Sequence, residues 1–120
     1  MNKQRILICD DEESARESLN LVLSDKYDLT FAANSEEAIE SFKANSDIKI
    51  ALIDIKMPKK SGLDLLKDIK SLNSDINVII VTAYQNVETA AEAIKQGASN
   101  YIIKPFEPKN VIEAVKKASS

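Results

Sequence analysis

Residues 50–54 read IALID, four apolar residues followed at once by an aspartate. A short, nearly continuous apolar run is typical of a strand that is buried on both faces, as in a parallel sheet. Four further segments have this apolar, β-branched character: residues 6–9, 29–32, 78–81 and 101–103. The sequence therefore predicts five strands, and Asp54 is predicted to follow the third of them directly.

Between these segments, apolar residues repeat every three or four positions, the spacing that gives a helix one apolar face. The predicted faces are Ala15, Leu19, Val22 and Leu23; Ala38, Ile39 and Phe42; Leu65, Leu66, Ile69 and Leu72; Val87, Ala90, Ala91 and Ile94; and Val111, Ala114, Val115 and Ala118. Ser35 and Asn86 are the predicted N-caps of the second and fourth helices. Gly97 is expected just past the end of the fourth helix, and Pro108 in the first turn of the fifth.

Strand and helix thus alternate five times, which implies right-handed crossovers and a parallel sheet covered by helices on both faces. The predicted fold class is α/β: a doubly wound, flavodoxin-like (βα)5 domain whose five-stranded parallel sheet has the order 2-1-3-4-5. The chain has 120 residues, near the usual size of one domain, so residues 1–120 are expected to form a single domain.

The composition excludes several classes of function. With 16 Lys and Arg against 19 Asp and Glu, a net charge of -3 and no Trp, the chain lacks the surface of a nucleic-acid binder. The absence of His excludes Ser–His and Cys–His catalysis and histidine metal sites. Cys9 is the single cysteine, so the chain has no internal disulfide and suits a reducing compartment. We expect its side chain to be a small buried residue of the core. Because there is no signal peptide and no apolar run of membrane-spanning length, we expect a cytoplasmic protein with no membrane partner.

Polar residues follow four of the predicted strands: Asp10 and Asp11, Asp54, Thr82, and Lys104. In a doubly wound sheet, ligands bind at this carboxyl edge, where the strand order reverses. Two like charges about 4 Å apart repel by roughly 4 kcal/mol at an effective dielectric near 20, so three carboxylates against one Lys need a cation or protons. Carboxylate oxygens without Cys or His suit a hard ion, and we predict Mg²⁺. A carboxylate beside Mg²⁺ and an ammonium can receive a phosphoryl group.

Four motifs that carry this chemistry resemble those of a known family. They are ILICDDEE at 6–13, ALIDIKMP at 51–58 with SGLDLLKDIK at 61–70, VIIVTAY at 78–84, and GASNYIIKPF at 97–106. Each motif alone is weak evidence for a family. In this order and spacing, the four motifs together resemble the receiver domain of a two-component response regulator over essentially the full chain. The resemblance is strongest to the receivers of nitrogen-regulation-type bacterial transcriptional activators and to single-domain phosphorelay receivers.

The resemblance implies how phosphoryl transfer would be divided among the matching residues. Asp54 would attack phosphorus and become an aspartyl phosphate. Asp11 would bind Mg²⁺ directly and Asp10 mainly through water, with Asp54 and the main-chain carbonyl of Lys56 as further ligands and Mn²⁺ as the alternative ion. Lys104 would contact a phosphoryl oxygen.

The resemblance also implies a switch. Thr82 would turn its hydroxyl to the phosphoryl group, and Tyr101 would swing inward as Thr82 moves. This pair would link the site to the face formed by the fourth helix, the fifth strand and the fifth helix, through which the domain would contact an output domain, a partner or a second copy. The family also has a cis bond at the position of Lys104-Pro105.

Lys56 and Tyr84 lie two residues past Asp54 and Thr82, respectively. In the family these positions vary and tune the lifetime of the phosphoryl group. We hypothesise that both side chains shield the phosphoryl group from water.

The missing histidine predicts a partner, because a phosphohistidine donor must come from a sensor histidine kinase or a phosphotransfer protein. The domain itself would catalyse only its own phosphoryl transfer and slow autodephosphorylation, so we classify it as a signalling switch rather than an enzyme. Two arrangements stay open: a stand-alone phosphorelay carrier, and the receiver of a regulator whose output domain lies beyond Ser120.

Three other functions fit the sequence less well. A phosphatase of the haloacid dehalogenase kind also uses an Asp nucleophile and Mg²⁺. Its nucleophile belongs to a D-x-D motif after the first strand, whereas this chain has Asp10-Asp11 there and its central Asp after the third strand. A flavodoxin-like flavin carrier needs a Ser-, Thr- or Gly-rich phosphate loop there, and four acids would repel phosphate. A receiver fold that only binds a partner is disfavoured by the complete set of site residues.

Overall fold

Five strands and five helices alternate in a computed structural model, which describes residues 3–57 and 59–119. The strands are β1 (Gln4–Cys9), β2 (Tyr27–Ala32), β3 (Ile48–Ile53), β4 (Asn77–Thr82) and β5 (Ala98–Ile103). The helices are α1 (Glu13–Leu23), α2 (Ser35–Ala44), α3 (Gly62–Leu72), α4 (Val87–Lys95) and α5 (Pro108–Ser119). Two residues used in the sequence predictions, Pro58 of the third-strand motif and Ser120 at the chain end, lie outside the described residues.

The five strands form one parallel sheet in the order β2-β1-β3-β4-β5, which confirms the predicted fold class. The strand order reverses at β1, which pairs with both β2 and β3. Cys9 pairs with Ile53 in the β1–β3 register, and the Asp54 amide donates to the Cys9 carbonyl at 3.0 Å. Asp10 and Asp54 therefore leave the sheet side by side at its switch point.

Both faces of the sheet are buried, as the continuous apolar strands predict. In β3, Ala51 and Ile53 enter one core together with side chains of α2 and α3, whereas Ile50 and Leu52 enter the other together with side chains of α1 and α5. This division follows from the alternation of side chains along a strand. Within the described ranges, none of the helices has the length and apolar character of a membrane span.

Helix termini follow the sequence with one correction. Asn86 caps α4 by accepting a hydrogen bond from the Thr89 amide at 3.0 Å, Gly97 has the left-handed φ of +108°, and Pro108 is the first residue of α5. The prediction of Ser35 as the N-cap of α2 was wrong. Asn34 occupies that position, one residue earlier, and its side chain accepts a hydrogen bond from the Glu37 amide at 2.9 Å. It thus satisfies an amide at the start of the helix that has no main-chain partner. The Ser35 hydroxyl instead donates to the Lys60 carbonyl at 3.1 Å, which ties α2 to the turn before α3.

The predicted apolar face of α4 was wrong as a core face. Val87 and Ile94 are 87% and 51% exposed, and the buried residue of this helix is Ala93. The physical reason is position: α4 is nine residues long and contacts β5, the last strand of the sheet, so a small side chain suffices to cover that edge. Leu72, the last residue of α3, is also half exposed. The predicted faces of α2 and α5 do enter the core.

Candidate functional site

Three carboxylates converge at the switch point of the sheet. Asp10 follows β1, Glu12 is the N-cap residue of α1, and Asp54 follows β3. One oxygen of each lies within 4.8 Å of the others, a group that could hold a metal ion. Asp10 and Asp54 are only 2% and 5% exposed, whereas the Glu12 side chain is 62% exposed. The strands thus fix two buried acids, and the loop between β1 and α1 adds a third from the solvent side.

Lys104 supplies the positive charge facing this cluster. It follows β5, its amide donates to the Thr82 carbonyl at 2.8 Å, and the Lys104-Pro105 bond is cis as the resemblance implies. The Lys104 ammonium lies 2.6 Å from Asp10 Oδ2, 3.3 Å from Asp54 Oδ2 and 3.5 Å from Glu12 Oε1. Three carboxylates around one ammonium leave an excess of negative charge, which is the balance that a divalent cation would neutralise.

The two buried carboxylates are oriented in the same way. Oδ1 of Asp10 accepts from the Glu12 amide at 3.0 Å, and Oδ1 of Asp54 accepts from the Lys56 amide at 3.2 Å. Each is the turn in which an aspartate bonds the main chain two residues on. Because one oxygen of each acid is held in this way, the other oxygen faces Lys104 and the shared cluster.

Burial and neighbouring charges shift the pKa values of Asp10 and Lys104. Burial raises the pKa of Asp10, and the charge of Asp54 adds to this, while the hydrogen bond from Lys104 opposes it. Burial alone would lower the pKa of Lys104, but the hydrogen bond and charge of Asp10, reinforced by Asp54, leave the net pKa of Lys104 raised. Because its pKa is raised, Lys104 stays protonated at neutral pH.

Of the three carboxylates predicted to hold the metal ion, Asp10 and Asp54 meet in this cluster. Among the residues that the structure describes, the acidic cluster contains Glu12 and not Asp11, whose side chain is exposed. Sequence reasoning missed Glu12. The available signal was the run of four acids at 10–13, of which only the last is helical. Which of them turns toward the strand ends depends on the backbone of the loop, and a sequence pattern does not specify that.

Thr82, Tyr84 and Tyr101 form a connected group beside the acids. Thr82 is fully buried at the end of β4, and its hydroxyl oxygen accepts from the Tyr84 amide at 3.3 Å. The Tyr101 hydroxyl donates to the Tyr84 carbonyl at 2.7 Å. Burial raises the pKa of Tyr101, with further contributions from Tyr84 and Asp54. The loop after β4 therefore connects the two residues that the resemblance assigns to the switch.

The two flanking side chains singled out in the sequence also meet. The Lys56 ammonium lies 4.3 Å from the centre of the Tyr84 ring, a cation–π contact between the loops that follow β3 and β4. Cys9, one residue before Asp10, is buried as expected. Its burial, with the charge of Asp10, raises the thiol pKa to about 12, so this thiol is uncharged at neutral pH.

Comparison with known proteins gives matches over nearly the whole chain. A family model described as the response regulator receiver domain matches residues 6–116. The chain is 35% identical over 120 residues to the chemotaxis protein CheY of Thermotoga maritima, which covers 97% of this chain and 98% of CheY. It is 39% identical over 103 residues to the regulatory protein AtoC of Escherichia coli, which covers 86% of this chain and 22% of AtoC.

Solved structures agree. A response regulator receiver domain protein from Clostridium thermocellum superposes with a TM-score of 0.90 at 33% identity, covering 95% of this chain and 92% of that chain. The chain spans about half the length of other curated relatives, with 52% and 58% coverage of two transcriptional regulators. The matching segment is therefore shared by proteins of very different total length.

Proposed function

Since this chain belongs to the response regulator receiver domain family, the phosphorylatable switches of two-component signalling, we propose that Asp54 is its phosphoacceptor. The observation that carries the proposal is the placement of Asp54 Oδ2, which faces the acidic cluster 3.3 Å from the Lys104 ammonium. The carboxylate oxygen would attack phosphorus, and the phosphorus–nitrogen bond of the donor phosphohistidine would break. Lys104 would hold a phosphoryl oxygen and offset the charge that develops there.

The donor set fits a hard divalent cation. Asp10, Glu12 and Asp54 offer only carboxylate oxygens within 4.8 Å of one another, which suits Mg²⁺, or Mn²⁺ as the alternative, better than Zn²⁺. Asp11 and the main-chain carbonyl of Lys56 complete the proposed ligand set on the resemblance, and Glu12 joins it on geometry. When bound, the ion would supply positive charge to the phosphoryl oxygens.

We assign the switch to Thr82 and Tyr101. The Thr82 hydroxyl, whose oxygen now accepts from the Tyr84 amide, would turn to donate its proton to a phosphoryl oxygen, and the Tyr84 carbonyl would carry the change to the Tyr101 hydroxyl. The response would reach the face of α4, β5 and α5. Exposed apolar side chains on α4, Val87 and Ile94, support contact of this face with an output domain, a partner or a second copy of the chain.

Lys56 and Tyr84 are proposed to tune the lifetime of the aspartyl phosphate. Their cation–π contact joins the loops after β3 and β4, which carry Asp54 and Thr82. A pair held together in this way would hinder the approach of water more than two independent side chains would. Slow autodephosphorylation would then be the reaction that this pair controls.

The donor would be a sensor histidine kinase or a phosphotransfer protein, because the chain contains no histidine. We treat residues 1–120 as one receiver domain acting in the cytoplasm, without direct contact with nucleic acid. Coverage of 98% of CheY and 22% of AtoC supports both a stand-alone carrier and the receiver of a longer regulator.

The test is phosphoryl uptake from acetyl phosphate with Mg²⁺, followed by intact-protein mass spectrometry. Wild type should gain one phosphoryl group and Asp54→Asn none. The control Asp28→Asn, at an exposed position on β2, should behave as wild type. Failure of wild type to gain mass from either acetyl phosphate or a phosphorylated histidine kinase would disprove the assignment, and sustained turnover of small phosphate esters would favour a phosphatase.

A further inference from the structure

The chain has two glycines, and one of them, Gly62, lies against the main chain of Asp54. Gly62 is the buried first residue of α3, and its amide donates to the Ile55 carbonyl at 2.9 Å. A β carbon placed on Gly62 would lie 2.1 Å from the Asp54 carbonyl oxygen and 2.8 Å from both the Asp54 carbonyl carbon and the Ile55 α carbon. These are main-chain atoms, so they cannot rotate aside as the end of a flexible side chain could.

The requirement at this position is for space. Among the described residues, Gly97 is the glycine with a left-handed φ, whereas Gly62 has a φ that other residues adopt readily. An alanine at 62 would therefore not strain its own backbone. It would force apart two segments, the start of α3 and the turn that begins at Asp54.

The turn is the less firmly held of the two segments, although Ile55 within it is buried in the same core. Three side chains of α3 that point into the core, Leu65, Leu66 and Ile69, are fully buried, so the helix is held firmly against the sheet. Residues 54–61 form neither helix nor strand where the structure describes them. Displacement of the Asp54 main chain would disturb both contacts of its carboxylate, the one with the Lys56 amide and the one with Lys104.

We infer that Gly62 is a positioning residue for the phosphoacceptor: the absence of a side chain sets the distance between α3 and the Asp54 main chain, and so places the Asp54 carboxylate in the acidic cluster. The inference rests on the proposed role of Asp54. It predicts that any side chain at 62 weakens Mg²⁺ binding and slows phosphoryl uptake per folded molecule.

The chain offers a matched control. Gly97→Ala makes the same chemical change but acts through a left-handed φ of +108°, and the nearest atoms to its β carbon belong to the flexible Lys70 side chain. Gly97 precedes β5, so it lies at the opposite end of that strand from Lys104. Both variants should lose stability in urea unfolding, but only Gly62→Ala should alter the site.

The experiment measures Mg²⁺ affinity by isothermal titration calorimetry and the rate of phosphoryl uptake from acetyl phosphate, each normalised to the folded fraction. We expect Gly62→Ala to be about tenfold or more slower than wild type, because a misplacement of ~1 Å at a reacting group can cost about 100-fold. Its Mg²⁺ affinity should fall as well, and Gly97→Ala should match wild type in both.

If Gly62→Ala is unfolded in buffer, both variants are measured in trimethylamine N-oxide, which favours the folded state. Equal Mg²⁺ affinities and uptake rates for the two folded variants would overturn the inference, as would failure of Gly62→Ala to fold even there, since the contact would then serve folding alone. A wild type that takes up no phosphoryl group would contradict the proposed function, while the Mg²⁺ affinities of the two variants would still decide the role of Gly62.

Discussion

Replacing Lys104 with methionine tests the charge balance of the acidic cluster most directly. The variant keeps an unbranched side chain but removes the ammonium that lies 2.6 Å from Asp10 Oδ2 and 3.3 Å from Asp54 Oδ2. The side chains of Lys104, Asp10 and Asp54 are 14%, 3% and 6% exposed, so solvent screens these charges little. The Glu12 contact, at 3.5 Å with 62% of that side chain exposed, adds at most about 1 kcal/mol.

Removing one partner of a buried ion pair costs about 3–5 kcal/mol, because the remaining charge stays buried without compensation. We therefore expect the free energy of unfolding of Lys104→Met to fall by about 3–5 kcal/mol at neutral pH in EDTA. That is a large share of the roughly 5–15 kcal/mol typical of a domain. With Mg²⁺ in place of EDTA the loss should shrink, because the cation competes with Lys104 in wild type but replaces the missing charge in the variant.

The assay is urea unfolding followed by far-ultraviolet circular dichroism, with and without Mg²⁺. The control is Lys109→Met, which removes an ammonium 3.9 Å from Glu107 with both side chains largely exposed, and should cost no more than about 1 kcal/mol. If Lys104→Met lost no more stability than Lys109→Met in EDTA, the assignment of Lys104 as the counter-charge of the cluster would be refuted.

Three further predictions concern the same part of the molecule. Because burial raises the pKa of Asp10 above 3.8, the folded state binds this proton more tightly than the unfolded state, so Asp10 weakens folding progressively as pH rises through its folded pKa. In EDTA, the stability of Asp10→Asn relative to wild type should therefore increase as pH rises from below 3.8 toward neutrality, and a pH-independent difference in urea unfolding would contradict this. A double-mutant cycle of Lys56→Met and Tyr84→Leu should give a coupling free energy of about 0.5–1 kcal/mol in urea unfolding. The dephosphorylation rates of the same variants should also be non-additive. Additive effects in both measurements would exclude cooperation between the two side chains. Asn34→Ala should lower the free energy of unfolding by about 1 kcal/mol through loss of the α2 cap, and an unchanged urea midpoint would show that the bond to the Glu37 amide contributes nothing.

The three central strands, β1, β3 and β4, could be predicted well because most of their residues are buried on both faces of the sheet. A strand such as 50–53 has no polar face to interrupt its apolar run, so its centre is visible in the sequence. The start of β3 was missed: it begins at Ile48, two residues earlier, and includes the exposed Lys49. Backbone pairing continues there without burial of every side chain, and hydrophobic patterning does not detect it.

The sequence predictions were wrong where several neighbouring residues could fill the same structural role. Asn34 and Ser35 are both good caps, and only the path of the chain decides which one begins α2. The apolar stripe of α4 has helical spacing, but spacing does not tell whether the stripe faces the sheet or the solvent. Four adjacent acids at 10–13 likewise leave open which of them turns into the site.

The geometry of the site also explains why an acidic cluster that costs stability is compatible with its proposed function. The amides of Glu12 and Lys56 each bond one oxygen of Asp10 and of Asp54, and the second oxygen of both carboxylates lies against Lys104. Lys104 compensates part of their negative charge, and the uncompensated part would attract a divalent cation. Neutralising one acid would relieve the repulsion and remove that affinity together. Stability without metal and binding of metal should therefore change in opposite directions when Asp10 is replaced, and a variant that gained both would show that the two do not depend on the same charges.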